Sequence, residues 1–147
     1  MFVWITNVLN CRRLKKFSMD RKVLISGALF GLIAIILGAF ATHGLKSLLT
    51  ADAILTFETG VKYQMYSALF LLFLGGIPVT SEKVKKICFY LTVVGVILFS
   101  GSIYFLATNS LTSFDFRTIG FITPIGGSLI IIAWIVLLIS FIKLKNK

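Results

Sequence analysis

Five residues carry the side chains most able to do chemistry, and they lie close together in the chain: His43, Glu58, Lys62, Tyr63 and Gln64. His43 is the single histidine. Glu58 and Lys62 are four apart with the glutamate first, the order that favours an ion pair on one helix face. Tyr63, Gln64 and Tyr66 then fall inside an apolar run, where a side-chain amide is costly unless it faces other helices or a water-filled cavity. One reading is a small-ligand or ion site at the rim of a membrane. The other is structural: tyrosines belong to the interfacial belt, and Gln64 and the Glu58–Lys62 pair hydrogen-bond to neighbouring helices. Gln64 points well away from Lys62, so its partner is expected on a third or fourth helix, near Ser102, Tyr104 or Thr123.

Catalytic, metal and cofactor sites are not expected. Cys11 and Cys88 are 77 positions apart and form no zinc or redox motif. No nucleophile–base pair or phosphate loop stands in the chain, so an enzyme is not expected.

The elements that must position the five residues are apolar. Val23–Ala41, Val61–Ile77, Ile87–Ala107 and Thr123–Ile142 hold one charged residue between them, Lys62. At ~1.5 Å per helical residue each reaches roughly 25–32 Å, enough to cross a hydrocarbon core of about 30 Å. Mean hydropathy is +1.00 and 58% of residues are hydrophobic, too apolar for an ordinary soluble domain. The expected fold is all-α, an integral membrane four-helix bundle with spans at about 23–41, 51–77, 87–107 and 123–142. Thr50 is expected to cap the second helix, with Asp52 in its first turn. Pro78 should end it. Thr123-Pro124 should open the fourth helix with a capping hydroxyl and a proline at the first helical position.

The charges choose an orientation. Of 15 lysines and arginines, six precede the first span (Arg12, Arg13, Lys15, Lys16, Arg21, Lys22). Lys83, Lys85 and Lys86 fall between spans two and three, and Lys143, Lys145 and Lys147 follow the fourth. The opposite side holds Lys46, Lys62 and Arg117. Basic flanks are retained in the cytoplasm, so both termini are expected there, in a multi-pass protein of the cell membrane. The net charge of +10 alternates with membrane spans and suits anionic lipid headgroups, not nucleic acid. Residues 1–20 form a basic extension. Phe2–Leu9 followed by basic residues is the reverse of a secretory signal. It reads either as an interfacial amphipathic segment or, preferably, as sequence upstream of a natural start at Met19.

Each span carries small residues at helical spacing: Gly27, Gly31, Ala34, Gly38 and Ala41; Ala68 and Gly75; Gly95 and Ser102; Gly126, Ala133 and Ser140. In lipid, close backbone approach at such stripes carries much of the packing.

Four ordered motifs support a family resemblance. They are Gly38-Ala39-Phe40-Ala41-Thr42-His43-Gly44-Leu45, Phe57-Glu58-Thr59-Gly60-Val61-Lys62-Tyr63-Gln64-Met65-Tyr66, Phe99-Ser100-Gly101-Ser102-Ile103-Tyr104 and Thr123-Pro124-Ile125-Gly126-Gly127. Over roughly Lys22–Phe141 the chain resembles the small membrane proteins called domain of unknown function 423, similar to transmembrane protein 256 of animals. The resemblance implies four membrane helices and no established activity. Two positions depart from that pattern: Ala41-Thr42 replaces glycine-alanine before the histidine, and Ser67 stands where a second histidine is usual.

The functional expectation is a structural or accessory subunit of a membrane assembly, with other membrane proteins or further copies of itself as partners. The alternative is a component of a small-solute or ion transporter with the polar site at its outer rim.

Overall fold

A computed structural model describes the backbone of residues 2–77 and 81–144, and the side chains within those segments from residue 19 onward. The described residues are helical throughout: α1 (Phe2–Phe40), α2 (Ala51–Gly76), α3 (Glu82–Ala107) and α4 (Ile122–Leu144). A π-helical turn, Ala41–Leu45, extends α1, and two 3-10 turns, Asn109–Leu111 and Phe116–Ile119, shape the connection from α3 to α4.

Local chemistry explains most of the boundaries. The Thr50 hydroxyl accepts from the Ala53 amide at 3.3 Å and starts α2, with Asp52 in the first turn as expected. α2 ends at Gly76, before Pro78, which itself lies outside the described residues, as do the side chains of Phe2–Leu9 and Cys11. α3 begins at Glu82, five residues earlier than the apolar run, because Ser81 caps it through the Val84 amide at 3.3 Å. α4 already includes Thr123, and the threonine hydroxyl does not cap it. That hydroxyl is shared with Ser102 at 2.7 Å instead. α1 runs unbroken for 39 residues, about 58 Å, far longer than a hydrocarbon core is thick.

Successive helices are antiparallel. α2 lies between α1 and α3, and α4 lies along α3, with no extensive contact between α1 and α4. Residues of all four helices, Val23, Leu71, Cys88 and Ala133 among them, share one apolar core. Met19–Leu45, Glu82–Ala107 and Phe116–Leu144 are long and apolar enough to cross a membrane. α2 is long enough at 26 residues, but Lys62, Tyr63, Gln64, Tyr66 and Ser67 make its middle less apolar.

The helices meet where side chains are small. A Cβ on Gly126 would collide with the backbone nitrogen of Phe99 and come within 2.8 Å of the Gly95 carbonyl. A Cβ on Gly95 would lie 3.1 Å from the Gly126 carbonyl. α3 and α4 therefore touch backbone to backbone. On the other side Gly27 sits against the Ala68 carbonyl and Leu72, where a Cβ would find 3.0 Å. Gly31 and Gly38 face α2 as well but leave ordinary contact distances of 3.7 and 3.5 Å, so the stripe on α1 is tight at one end only. Ala133 is fully buried, and its carbonyl accepts from the Cys88 thiol at 3.5 Å.

Two apolar cores result. One joins Val23, Phe70, Leu71, Leu74, Cys88, Ala133 and Leu137; the other joins Ala41, Leu45, Phe57 and Ala107 at the opposite end. The second includes Leu45, while Leu48 stays 60% exposed, so only part of the leucine patch after span one packs inward. Overpacking a close-packed contact costs about 1–3 kcal/mol. Gly126→Ala should therefore lower the unfolding midpoint in detergent, whereas Gly101→Ala, with open space around the new Cβ and a better helix former in place of glycine, should not lower it. Equal midpoints would mean that α3 and α4 do not touch at Gly126.

Candidate functional site

The inward face of α2 repeats at helical spacing through Phe57, Gly60, Gln64, Ser67, Leu71 and Leu74, all buried. This period places Gln64 on the core side, where it is 5% exposed. Its Nε2 donates to the Phe30 carbonyl of α1 at 2.9 Å, and its Oε1 accepts from the Tyr104 hydroxyl of α3 at 2.9 Å. One amide thus ties three helices. A carbonyl can only accept and the tyrosine hydroxyl is free to donate, so both ends of the amide are matched. Gly60 makes the arrangement fit: a Cβ there would stand 2.8 Å from Cε1 of Tyr104. The Tyr104 ring packs against Phe57 with centroids 4.7 Å apart.

The other four expected site residues do not join Gln64. His43 is exposed on the π-helical turn and makes no hydrogen bond among the described residues. Glu58 is half-buried and Lys62 exposed, and they do not pair; the one ion pair among the described residues is elsewhere. An exposed pair gains at most ~1 kcal/mol and must hold two long side chains still, so spacing alone does not enforce it. Tyr63 is 44% exposed and lays its ring edge against Phe99, centroids 4.9 Å apart. The expected convergence of His43, Glu58 and Lys62 with Gln64 is therefore corrected: helix geometry sends Gln64 inward and the charged residues outward. Tyr104 was among the partners expected for Gln64, but the Phe30 carbonyl was not foreseeable, because a backbone group has no sequence signature.

A second polar tie lies at the other end of the helices. Lys85 is the largest fully buried side chain. Its Nζ donates to Asp20 at 2.7 Å and reaches the Gly75 carbonyl at 3.4 Å, linking α3 to α1 and α2. Lys85 was expected among the lipid-facing cations; burial removes it from them. The signal was present in the spacing, since Lys85 continues the buried stripe of Cys88, Thr92, Gly95 and Val96 by one turn. Asp20 keeps 25% of its side chain exposed, against 2% for Lys85.

Further polar groups sit within the helices. Ser102 bonds Thr123 across α3 and α4. The hydroxyls of Thr92 and Ser100 are buried and have no hydrogen-bond partner among the described residues. Ser67 is 3% exposed. No group of three His, Cys, Asp or Glu able to hold a metal ion occurs among the described residues.

This architecture has known relatives in sequence. Residues 37–127 match the family described as protein of unknown function (DUF423). A UPF0382 membrane protein of Staphylococcus epidermidis is 41% identical, covering 82% of this chain and 94% of its own. A UPF0382 membrane protein of Haemophilus influenzae is 37% identical, covering 87% and 99%. The UPF0382 inner membrane protein YgdD of Escherichia coli is 36% identical, covering 87% and 95%. No solved structure matches.

The two polar ties can be separated by mutation. For Gln64, a double-mutant cycle with Gln64→Leu and Tyr104→Phe should give a coupling of about 0.6–1.7 kcal/mol, the range for hydrogen bonds between membrane helices. Zero coupling in detergent unfolding would mean that the two side chains do not bond. For the ion pair, Asp20→Ala strands a buried cation and should cost about 3 kcal/mol. Lys85→Met should cost less, because Asp20 reaches water. The reverse ranking would contradict the burial of Lys85.

Proposed function

The chain belongs to the family described as protein of unknown function (DUF423), and from that premise we propose a four-span protein of the cell membrane, both termini cytoplasmic, serving as a structural or accessory subunit of a membrane assembly and not as an enzyme. The observation that carries the proposal is the fate of the inward polar groups. Gln64, Tyr104, Lys85, Asp20, Ser102 and Thr123 each bond to another helix, so they hold the helices together and do not line a cavity. α1 and α4, meanwhile, present broad apolar faces, including Leu29, Leu32, Ile35 and Ile36 on one and Ile131, Trp134, Ile135 and Leu138 on the other. Lipid covers such faces, and so do neighbouring membrane helices.

The packing of α2 supports four crossings. It is flanked antiparallel along its length by α1 and α3, and both of those are long and apolar enough to span. Its polar Gln64 and Ser67 are turned inward while Leu69, Leu72 and Phe73 face out. A helix in that position crosses with its neighbours. The lysine and arginine bias, with an even number of spans, supports both termini on the cytoplasmic side. Arg21, Lys22, Lys83, Lys86 and Lys143 are exposed at that end and meet anionic headgroups.

A second reading, a small-solute or ion transporter, is favoured by the unpartnered hydroxyls of Thr92 and Ser100, because intramembrane polar groups mark solute paths in such proteins. Two experiments decide. Reporter fusions at Leu48 and at Glu82 should report opposite sides of the membrane, and a shared side would mean that α2 does not cross. Purified in mild detergent, the protein should migrate as a complex larger than its 16.3 kDa chain and should pass no solute in liposomes. A monomer with flux that Thr92→Ala/Ser100→Ala abolishes would replace the subunit reading with the transporter one.

A further inference from the structure

A groove of about 470 Å³ opens between the end of α1 and the first turns of α2. Ala41, Leu49, Ile54 and Leu55 form its apolar walls, and Lys46 and Glu58 stand in the same lining. These two opposite charges do not form an ion pair with each other or with any other described residue. The π-helical turn Ala41–Leu45 immediately precedes Lys46. Such turns recur at functional sites. The groove lies where the apolar run of α1 ends.

We propose that this groove binds a zwitterionic phospholipid whose headgroup carries a primary ammonium, with the ammonium on Glu58, the phosphate on Lys46 and the upper acyl chain against Leu49, Ile54 and Leu55. The apolar walls beside two charges require an amphipathic occupant. The opposite signs require a zwitterion, since an anionic lipid would leave Glu58 facing like charge. A primary ammonium has three N–H donors for charge-assisted bonds to a carboxylate. A quaternary ammonium has none and is recognised by aromatic faces, and no aromatic side chain lines this groove. Phosphatidylethanolamine fits that description; phosphatidylcholine and phosphatidylglycerol do not.

The test uses the full chain in nanodiscs made from equal parts of these three lipids, with retained lipid identified by native mass spectrometry after stepwise delipidation. Phosphatidylethanolamine should be retained about tenfold over phosphatidylcholine, the scale of one charge-assisted hydrogen bond. Glu58→Gln should erase that preference, and Lys46→Gln should weaken retention of both lipids alike. Excess glycerophosphoethanolamine, the headgroup without chains, should not displace the lipid. Equal retention of the three lipids by the unmodified protein, or a preference for phosphatidylglycerol, would overturn the proposal. So would a preference that survives in a folded Glu58→Gln protein, or displacement by the chainless headgroup. The comparison of lipids on the unmodified protein stands by itself if Glu58→Gln folds poorly.

Discussion

A side-chain amide inside a membrane protein has no water to turn to, and that constraint organises this molecule around Gln64. Each of its two polar ends finds a partner on a different helix, a backbone carbonyl on α1 and a tyrosine hydroxyl on α3. To satisfy both, α2 must lie between those helices at a fixed rotation and depth. The adjacent features are consistent with this: Gly60 leaves room for the Tyr104 ring, and Phe57 packs on that ring. Individual hydrogen bonds in such settings contribute little energy on average. Their larger effect is on specificity, because any register that strands the amide is excluded.

The tie at the opposite end of the helices works by the same logic with charge in place of an amide. Lys85 reaches across to Asp20 and the Gly75 carbonyl, so α1, the beginning of α3 and the end of α2 are joined. Between the two ties, packing is set by small residues. Gly27 admits the backbone of α2, and Gly95 with Gly126 lets α3 and α4 meet without intervening side chains. α4 is held mainly by that backbone contact, by the Ser102–Thr123 hydroxyl pair and by the Phe70–Trp134 ring contact at 4.7 Å. α1 and α4 share no extensive contact, which leaves both with wide apolar faces. In a protein built this way Gln64, Tyr104, Lys85, Asp20, Ser102 and Thr123 hold the helices together, and the lateral surface is free for lipid or for neighbours.

The rim charges have a different status. Glu58 and Lys46 make no ion pair among the described residues, and both border an apolar groove next to the irregular turn at Ala41–Leu45. The molecule thus holds two kinds of polar residue. Gln64 and Lys85 are engaged between helices, whereas Lys46 and Glu58 stand unengaged at the edge, where a ligand can reach them.

Much of this was legible from residue types alone. Hydropathy located the four helices, Thr50 and Asp52 marked the start of α2, and the small residues at helical spacing marked the contact faces, because these depend on local composition and period. The family was legible from four ordered motifs. Spacing also suggested a Glu58–Lys62 pair and a polar cluster with His43, and here it misled, because two side chains on one helix face need not touch when water competes for both. The burial of Lys85, its bond to Asp20 65 positions away and the Phe30 carbonyl as partner of Gln64 were decided by tertiary structure. They depend on which helices become neighbours and at what rotation, and a one-dimensional pattern records the faces of a helix but not what stands opposite them.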